Sequence, residues 1–258
     1  METEKKIAVL IDGDNIPSAY IREMLEEIAK YGNPTIKRIY GDWTRPGLGK
    51  WKEILLEHAI TPIQQYGYTT GKNATDSAMI IDAMDLLYSG RVDGFCLCTS
   101  DSDFTRLATR LREAWLSVYG MWEKKTPKPF IVACDKFIYI EILKKPIKEI
   151  AKIEKTEKNK KESKKVSVVE TIQDQFDTIN TDTINLIQDT VSDLADDDGW
   201  AFLGDVGGLL QKKQPNFDSR NYGYSKLTPL LASTGLVEIA ERNDGKSRYK
   251  LICVRNVS

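Results

Sequence analysis

The first part of the chain alternates short apolar runs with amphipathic stretches. Ile7-Ala8-Val9-Leu10-Ile11 is uninterrupted by polar residues, the pattern of a central strand buried on both faces. Pro17 suits the first turn of a following helix, Leu25, Ile28 and Ala29 supply its apolar face, and Gly32 and Pro34 end it. Ile36–Tyr40 predicts a second strand. A Gly/Pro-punctuated loop over Gly41–Gly49 leads to a helix marked by Trp51, Ile54, Leu55 and His58. Ile60–Gln65 predicts a third strand, placed at an edge by Pro62. Beyond a loop at Gly67–Asn73, Ala74–Tyr88 has a strong helical pattern. Gly94–Cys98, Phe104–Ala114 and Leu116–Tyr119 then predict strand, helix and strand, and Phe137–Leu143 reads as a last helix. Such alternation over about 140 residues predicts an α/β fold, a parallel sheet flanked by helices.

The last part has a different rhythm. Ile184, Ile187, Val191 and Leu194 are spaced 3, 4 and 3, an amphipathic helix. Val206, Leu209 and Leu210 predict a second helix, ended before Pro215, and Ser225–Ser233 a third. Gly235–Ile239 and Tyr249–Cys253 read as strands joined by a turn at Asn243-Asp244-Gly245-Lys246. Three helices and a hairpin make a small winged helix-turn-helix. The expected division is a first domain over 1–145, a linker over 146–182 and a second domain over 183–258.

Charge supports that division. Residues 1–150 carry 21 basic and 21 acidic side chains, residues 151–165 carry 7 Lys against 3 Glu, and residues 166–258 carry 9 basic against 14 acidic. A basic tether therefore joins a neutral part to an acidic one. The run Ile7–Ile11 is too short for a signal segment or a membrane span. Cys96, Cys98, Cys134 and Cys253 have no disulfide-framework spacing and no neighbouring ligands for zinc, so reduced thiols in a cytoplasmic protein are expected. The single histidine, His58, excludes cleavage of RNA by a histidine pair.

The candidate chemistry lies in carboxylates. Asp12-Gly13-Asp14 ends the first strand, and Thr99-Ser100-Asp101-Ser102-Asp103 ends the fourth. In an open α/β sheet, ligands bind at the carboxyl ends of the strands. A serine capping the next helix explains one acid there but not two. If the two strands are neighbours, Asp12, Asp14, Asp101 and Asp103 meet, and Asp76 joins from the start of the long helix. Crowded carboxylates repel one another unless a cation is present, and oxygen ligands suit Mg²⁺ or Mn²⁺. Asp76 and Asp82 lie about 240° apart around their helix, so only Asp76 faces the crevice, and Asp82 is expected to accept a hydrogen bond elsewhere.

Ile11-Asp12-Gly13-Asp14-Asn15, Gly71–Asp76 with Ile80–Asp85, and Thr99–Phe104 together resemble the NYN domain of the PIN-like nuclease superfamily, in its LabA-like bacterial branch. The resemblance implies a PIN-like fold and a metal-dependent endoribonuclease. It implies metal ligation by Asp12, Asp76, Asp101 and Asp103, with Asn15 and Ser100 positioning ligands or water and Lys72 near RNA. Asp198-Gly199-Trp200, Pro215-Asn216-Phe217-Asp218 and Tyr222–Leu227 resemble an OST-HTH (LOTUS) domain. That implies RNA binding, of structured or G-rich RNA in some members, and protein partners in others. Candidate contacts are Arg220, Tyr222, Lys226, Arg242, Lys246 and Arg248, with packing as the competing role for Tyr222. A homo-oligomer stays open. Two rival functions stand: a non-catalytic RNA-binding adaptor, and a haloacid-dehalogenase-like phosphatase with Asp12 as nucleophile.

Overall fold

The computed structural model describes residues 4–14, 16–44, 51–66, 74–143, 176–242 and 251–257. The chain forms two compact units, Met1–Lys144 and Lys145–Ser258. Among the described residues no helix is long and apolar enough to cross a membrane.

The first unit is a six-stranded parallel sheet of order β3-β2-β1-β4-β5-β6. Its strands are β1 (Lys6–Asp12), β2 (Asn33–Gly41), β3 (Thr61–Gln64), β4 (Gly94–Cys98), β5 (Ser117–Trp122) and β6 (Lys136–Tyr139). The helices between them are α1 (Ile21–Ile28), α2 (Trp51–Glu57), α3 (Ala74–Ser89), α4 (Thr105–Glu113) and α5 (Lys128–Ala133). Right-handed crossovers put α1 and α2 on one face and α3, α4 and α5 on the other. The side chains of β2 record this alternation. Lys37 donates to the carbonyl of His58, just past α2, while Arg38 and Tyr40 both donate to Asp82 on α3. The expected partner of Asp82 is thus a pair of donors on a strand.

The chain runs outward from β1 to β3 and returns through α3 to β4, on the other side of β1. Two consecutive halves therefore diverge between β1 and β4, which pair from Ile7↔Gly94 to Ile11↔Cys98. Both strands are apolar and buried throughout, apart from Lys6 at the start of β1 and Asp12 at its end. Cys96 and Cys98 point the same way with their sulfurs 3.7 Å apart, and all four cysteines are free.

Two elements differ from the sequence expectation. The helix after β1 begins at Ile21, and Ser18–Tyr20 ahead of it forms a 3-10 turn. Phe137–Leu143 is not a helix: Lys136–Tyr139 is the sixth strand, followed by a 3-10 turn over Ile140–Ile142. The six-residue helix α5, with Pro127 as its N-cap, lies just before it. A run as short as Phe-Ile-Tyr-Ile has no periodicity to separate helix from strand. A strand is favoured because β5 offers an open edge that pairs from Tyr119↔Lys136 to Trp122↔Tyr139.

The second unit comprises α6 (Thr181–Leu194), β7 (Ala201–Phe202), α7 (Leu203–Lys213), a 3-10 turn (Ser219–Tyr222), α8 (Leu227–Thr234), β8 (Val237–Arg242) and β9 (Leu251–Asn256). Asn180 caps α6 by accepting from the Thr183 amide at 2.9 Å. The amide of Asp177 already bonds the Asn221 carbonyl. The three strands pair antiparallel in the order β7-β9-β8 over a core built on Val191, Val206, Leu210, Leu230 and Val254. This is a winged helix-turn-helix. The expected turn at 243–246 lies outside the described residues.

The Arg38–Asp82–Tyr40 junction generates the first prediction. It ties α3, and with it Asp76, to the sheet. Asp82→Ala leaves two half-buried donors without an acceptor and should destabilise the fold by about 2–3 kcal/mol. Thermal melts should show a drop of roughly 5–10 °C. An unchanged melt would mean that water replaces the carboxylate at no cost.

Candidate metal centre

β1 ends at Asp12, which is only 2 % exposed. It can end there because Gly13 lets the chain leave against β2. The Gly13 amide bonds the Tyr40 carbonyl at 2.8 Å, and a Cβ at this position would lie 2.7 Å from that same oxygen. The turn then folds back. The Asp14 amide donates to Asp12 Oδ1 at 3.2 Å, and Thr75 donates to Asp14 Oδ2 at 3.2 Å, drawing the start of α3 toward the end of β1.

β4 passes straight into Thr99, which is fully buried. Its hydroxyl donates to Asp12 Oδ2 at 3.2 Å and accepts from the Asp101 amide at 3.2 Å. One side chain thus joins the two acidic turns. Asp101 caps the 3-10 turn over Ser102–Phe104, accepting from the Asp103 amide at 2.8 Å. That turn runs directly into α4. Local hydrogen bonding therefore fixes both backbone segments that carry the acids.

Three of the four predicted metal ligands meet. Asp76, Asp101 and Asp103 each offer an oxygen, all within 4.8 Å of one another. Asp12 lies outside this trio, held by Thr99 and the Asp14 amide, yet close enough to act on its charge. Asp76 sits in the first turn of α3, where the helix dipole favours a carboxylate. Burial and the neighbouring Asp12, Asp101, Asp103 and Asp14 outweigh that and raise its pKa to about 6. Hard oxygen donors at this spacing, with their own repulsion unrelieved, fit a divalent cation. Ser100 is half-buried between the two turns. Asn15 and Lys72 lie outside the described residues. A nucleophilic Asp12 finds no support, because both of its oxygens are engaged and the group is buried.

Sequence reasoning passed over Thr99 and Thr75. A signal existed for Thr99: a hydroxyl directly after a fully apolar strand is buried, and a buried hydroxyl needs partners.

The candidate RNA contacts of the second unit are mostly committed inside it. Arg220 holds Asp218 through Nε at 3.0 Å and Nη2 at 2.7 Å. Tyr222 packs on Phe217, its hydroxyl 3.3 Å from that of Thr183, and burial raises its pKa. Arg242 lies over the Trp200 ring at 5.0 Å, with Asp196 and Asp198 at 3.6 and 3.5 Å, and Arg255 stacks on the same ring at 4.7 Å. Trp200, at 9 % exposure, belongs to the core. Lys226 is exposed at the start of α8. Lys246 and Arg248 lie outside the described residues.

Two predictions follow from the acidic trio and its threonine. The folded-state pKa of Asp76 lies above the unfolded value of about 4, so the folded state binds the extra proton between those values. This group's contribution is therefore favourable at low pH and is lost as pH rises toward 6. In metal-free protein Asp76→Asn should melt higher than the wild type at pH 7, and the gap should close by about pH 4. A gap that does not vary with pH would show that Asp76 is not under repulsion. Thr99→Val removes the bridge while keeping the shape, and should weaken Mn²⁺ binding by about ten- to a hundredfold in calorimetric titration.

Residues 6–141 match the NYN domain model, and residues 174–249 match the OST-HTH/LOTUS domain model. NYN is a nuclease-like domain, PIN-like nucleases of this kind generally use divalent metals, and OST-HTH/LOTUS domains bind RNA. No curated protein matches the chain. Among solved structures, the crystal structure of a protein of unknown function from Vibrio parahaemolyticus is 17% identical, over 54% of this chain and 95% of that one, with a TM-score of 0.46. The solution structure of an uncharacterized protein from Nitrosomonas europaea is 28% identical, over 40% of this chain and 93% of that one, with a TM-score of 0.29. The NYN match takes in every described acidic residue of the cleft and more than half of the chain, which therefore belongs to the NYN domain family and carries an OST-HTH/LOTUS domain behind it.

Proposed function

We propose that this protein is an endoribonuclease of the cytoplasm, dependent on Mg²⁺ or Mn²⁺, whose C-terminal winged helix selects the RNA. The observation that carries the reading is the convergence of Asp76, Asp101 and Asp103 at the carboxyl ends of β1 and β4. These three carboxylates would hold the cation, with Asp12 adding charge behind them. When bound, such an ion neutralises phosphodiester oxygens and lowers the pKa of water for in-line attack. The protein's own part is placement. Thr99 fixes Asp12 and the Asp101 backbone, the 3-10 turn fixes Asp103, and Asp82 anchors the helix that brings Asp76. Ser100 sits where its hydroxyl can orient a water or a phosphate oxygen.

For the second unit, selection of RNA cannot rest on gross charge, since residues 166–258 are net acidic. Lys226, Lys246 and Arg248 are the remaining candidates for backbone contact, because Arg220 and Arg242 already have acidic partners. The linker lysines over 151–165 add a non-specific phosphate contact.

The test is direct. Mn²⁺ should raise the melting temperature, because a ligand bound only by the folded state stabilises it. Single-turnover cleavage of RNA should need Mn²⁺ or Mg²⁺, stop in EDTA, and fall by at least about a hundredfold in Asp103→Asn. Cleavage that continues in EDTA sinks the metal mechanism. A metal-dependent melt without cleavage of any RNA points to the adaptor.

A further inference from the structure

The end of the sheet opposite the acidic cleft carries an unusual surface. Helices α3, α4 and α5 run antiparallel to the strands on one face, so their last residues gather at the amino ends of the strands. Each contributes a large exposed side chain there: Tyr88 at 74 %, Trp115 at 95 % and Val132 at 51 %. They are linked through α4. Arg110 Nη2 reaches the Tyr88 hydroxyl at 3.4 Å, and Arg112 Nη1 reaches the Val132 carbonyl at 3.4 Å.

Trp115 is exposed against two preferences. Its φ is +65°, in the left-handed region where glycine is favoured. The reason is the helix end. The Leu116 amide bonds the Leu111 carbonyl at 3.3 Å and the Trp115 amide bonds the Arg112 carbonyl at 2.9 Å. That is a Schellman motif with tryptophan in the position glycine usually takes. The fold gains nothing from the indole, which touches water almost everywhere and strains its own backbone. Beside it opens a groove of about 570 Å³, lined by Thr109, Arg112, Glu113, Leu116, Ser117 and Asp135 as well as Trp115.

We infer that this face is a self-association surface, with a second copy of this chain as its occupant. Knob and groove lie side by side on one patch. A two-fold axis between two such patches sets each Trp115 into the groove of the other copy, the self-complementary arrangement of an isologous dimer. The charges fit the same operation. The lining holds both signs, with Arg112 paired to Asp135 at 2.9 Å and Glu113 exposed beside it, so an inverted copy meets opposite charge on both sides. A nucleic acid fits poorly, because the one arginine of the lining is tied to Asp135 and two carboxylates share the groove. A tryptophan filling a pocket at the centre of a patch is the usual energetic anchor of an interface. The dimer leaves both acidic clefts facing outward.

The test uses the full chain in sedimentation velocity and light scattering across a concentration series from micromolar upward, with melting temperature measured in parallel. The wild type should pass from monomer to dimer. Trp115→Gly should remain monomeric at every concentration while its melting temperature holds or rises, since glycine accepts the left-handed φ. Tyr88→Ser should weaken the dimer, and Leu56→Ser, an equally exposed position on α2 at the other face of the sheet, should leave it unchanged. A wild type that is monomeric throughout overturns the inference. So does a Trp115→Gly protein that dimerises like the wild type, or a Leu56→Ser protein that does not dimerise.

Discussion

The cleft depends on the parallel pairing of β1 with β4. These strands are distant in sequence, and only the return of the chain through α3 makes them neighbours. Their register sets Ile11 beside Cys98, so the next residues, Asp12 and Thr99, emerge side by side. The hydroxyl of Thr99 can then reach Asp12 and the Asp101 amide together. A slip of one residue in this ladder would turn Thr99 to the opposite face and separate the acidic turns. The apolar interior of both strands prevents that slip, because it would carry no compensating burial. The most hydrophobic part of the molecule thus sets the positions of its most polar part.

That placement works against stability. Asp76 lies among Asp12, Asp101, Asp103 and Asp14, and its raised pKa measures the repulsion and burial it bears. The surroundings hold the carboxylates in place through backbone and hydroxyl donors without neutralising them. No lysine or arginine among the described residues forms an ion pair with Asp12, Asp76, Asp101 or Asp103 at salt-bridge distance. By contrast Asp82, on the same helix as Asp76, has both Arg38 and Tyr40. The two aspartates differ in partner, not in chemistry. A paired carboxylate holds the helix in place, and an unrelieved group of them keeps its affinity for an external cation.

Much of this was legible in the sequence. Continuous apolar runs at Ile7–Ile11 and Gly94–Cys98 marked central strands, and acids directly behind them marked the ligand end of the sheet. Helical rotation separated Asp76 from Asp82. What stayed hidden depended on tertiary neighbours. Phe137–Leu143 could not be read as strand and turn without the free edge of β5. Arg220 and Arg242 looked available for RNA because Asp218, Asp196 and Asp198 are partners that only the fold brings into range. Trp115 gave no local warning either. Its position after α4 reads as an ordinary helix end, and its conformation and exposure follow from where Leu111, Arg112 and Leu116 close the turn.

The two ends of the sheet have opposite physical characters, and both follow from one directional rule. In a parallel sheet with antiparallel helices, strand ends and helix starts collect at one edge, and helix ends and strand starts at the other. Helix starts tolerate carboxylates, so the first edge can crowd Asp76 and Asp103 together. Helix ends suit basic residues in the last turn, and Arg110 and Arg112 stand there on α4. Arg112 reaches Asp135 and the carbonyls of Val132 and Ala133, which welds the end of α4 to the end of α5. That weld holds the groove wall beside Trp115 rigid. A rigid, partly apolar surface at one edge can therefore take a partner without disturbing the charged cleft at the other, because the sheet core between them transmits no register change.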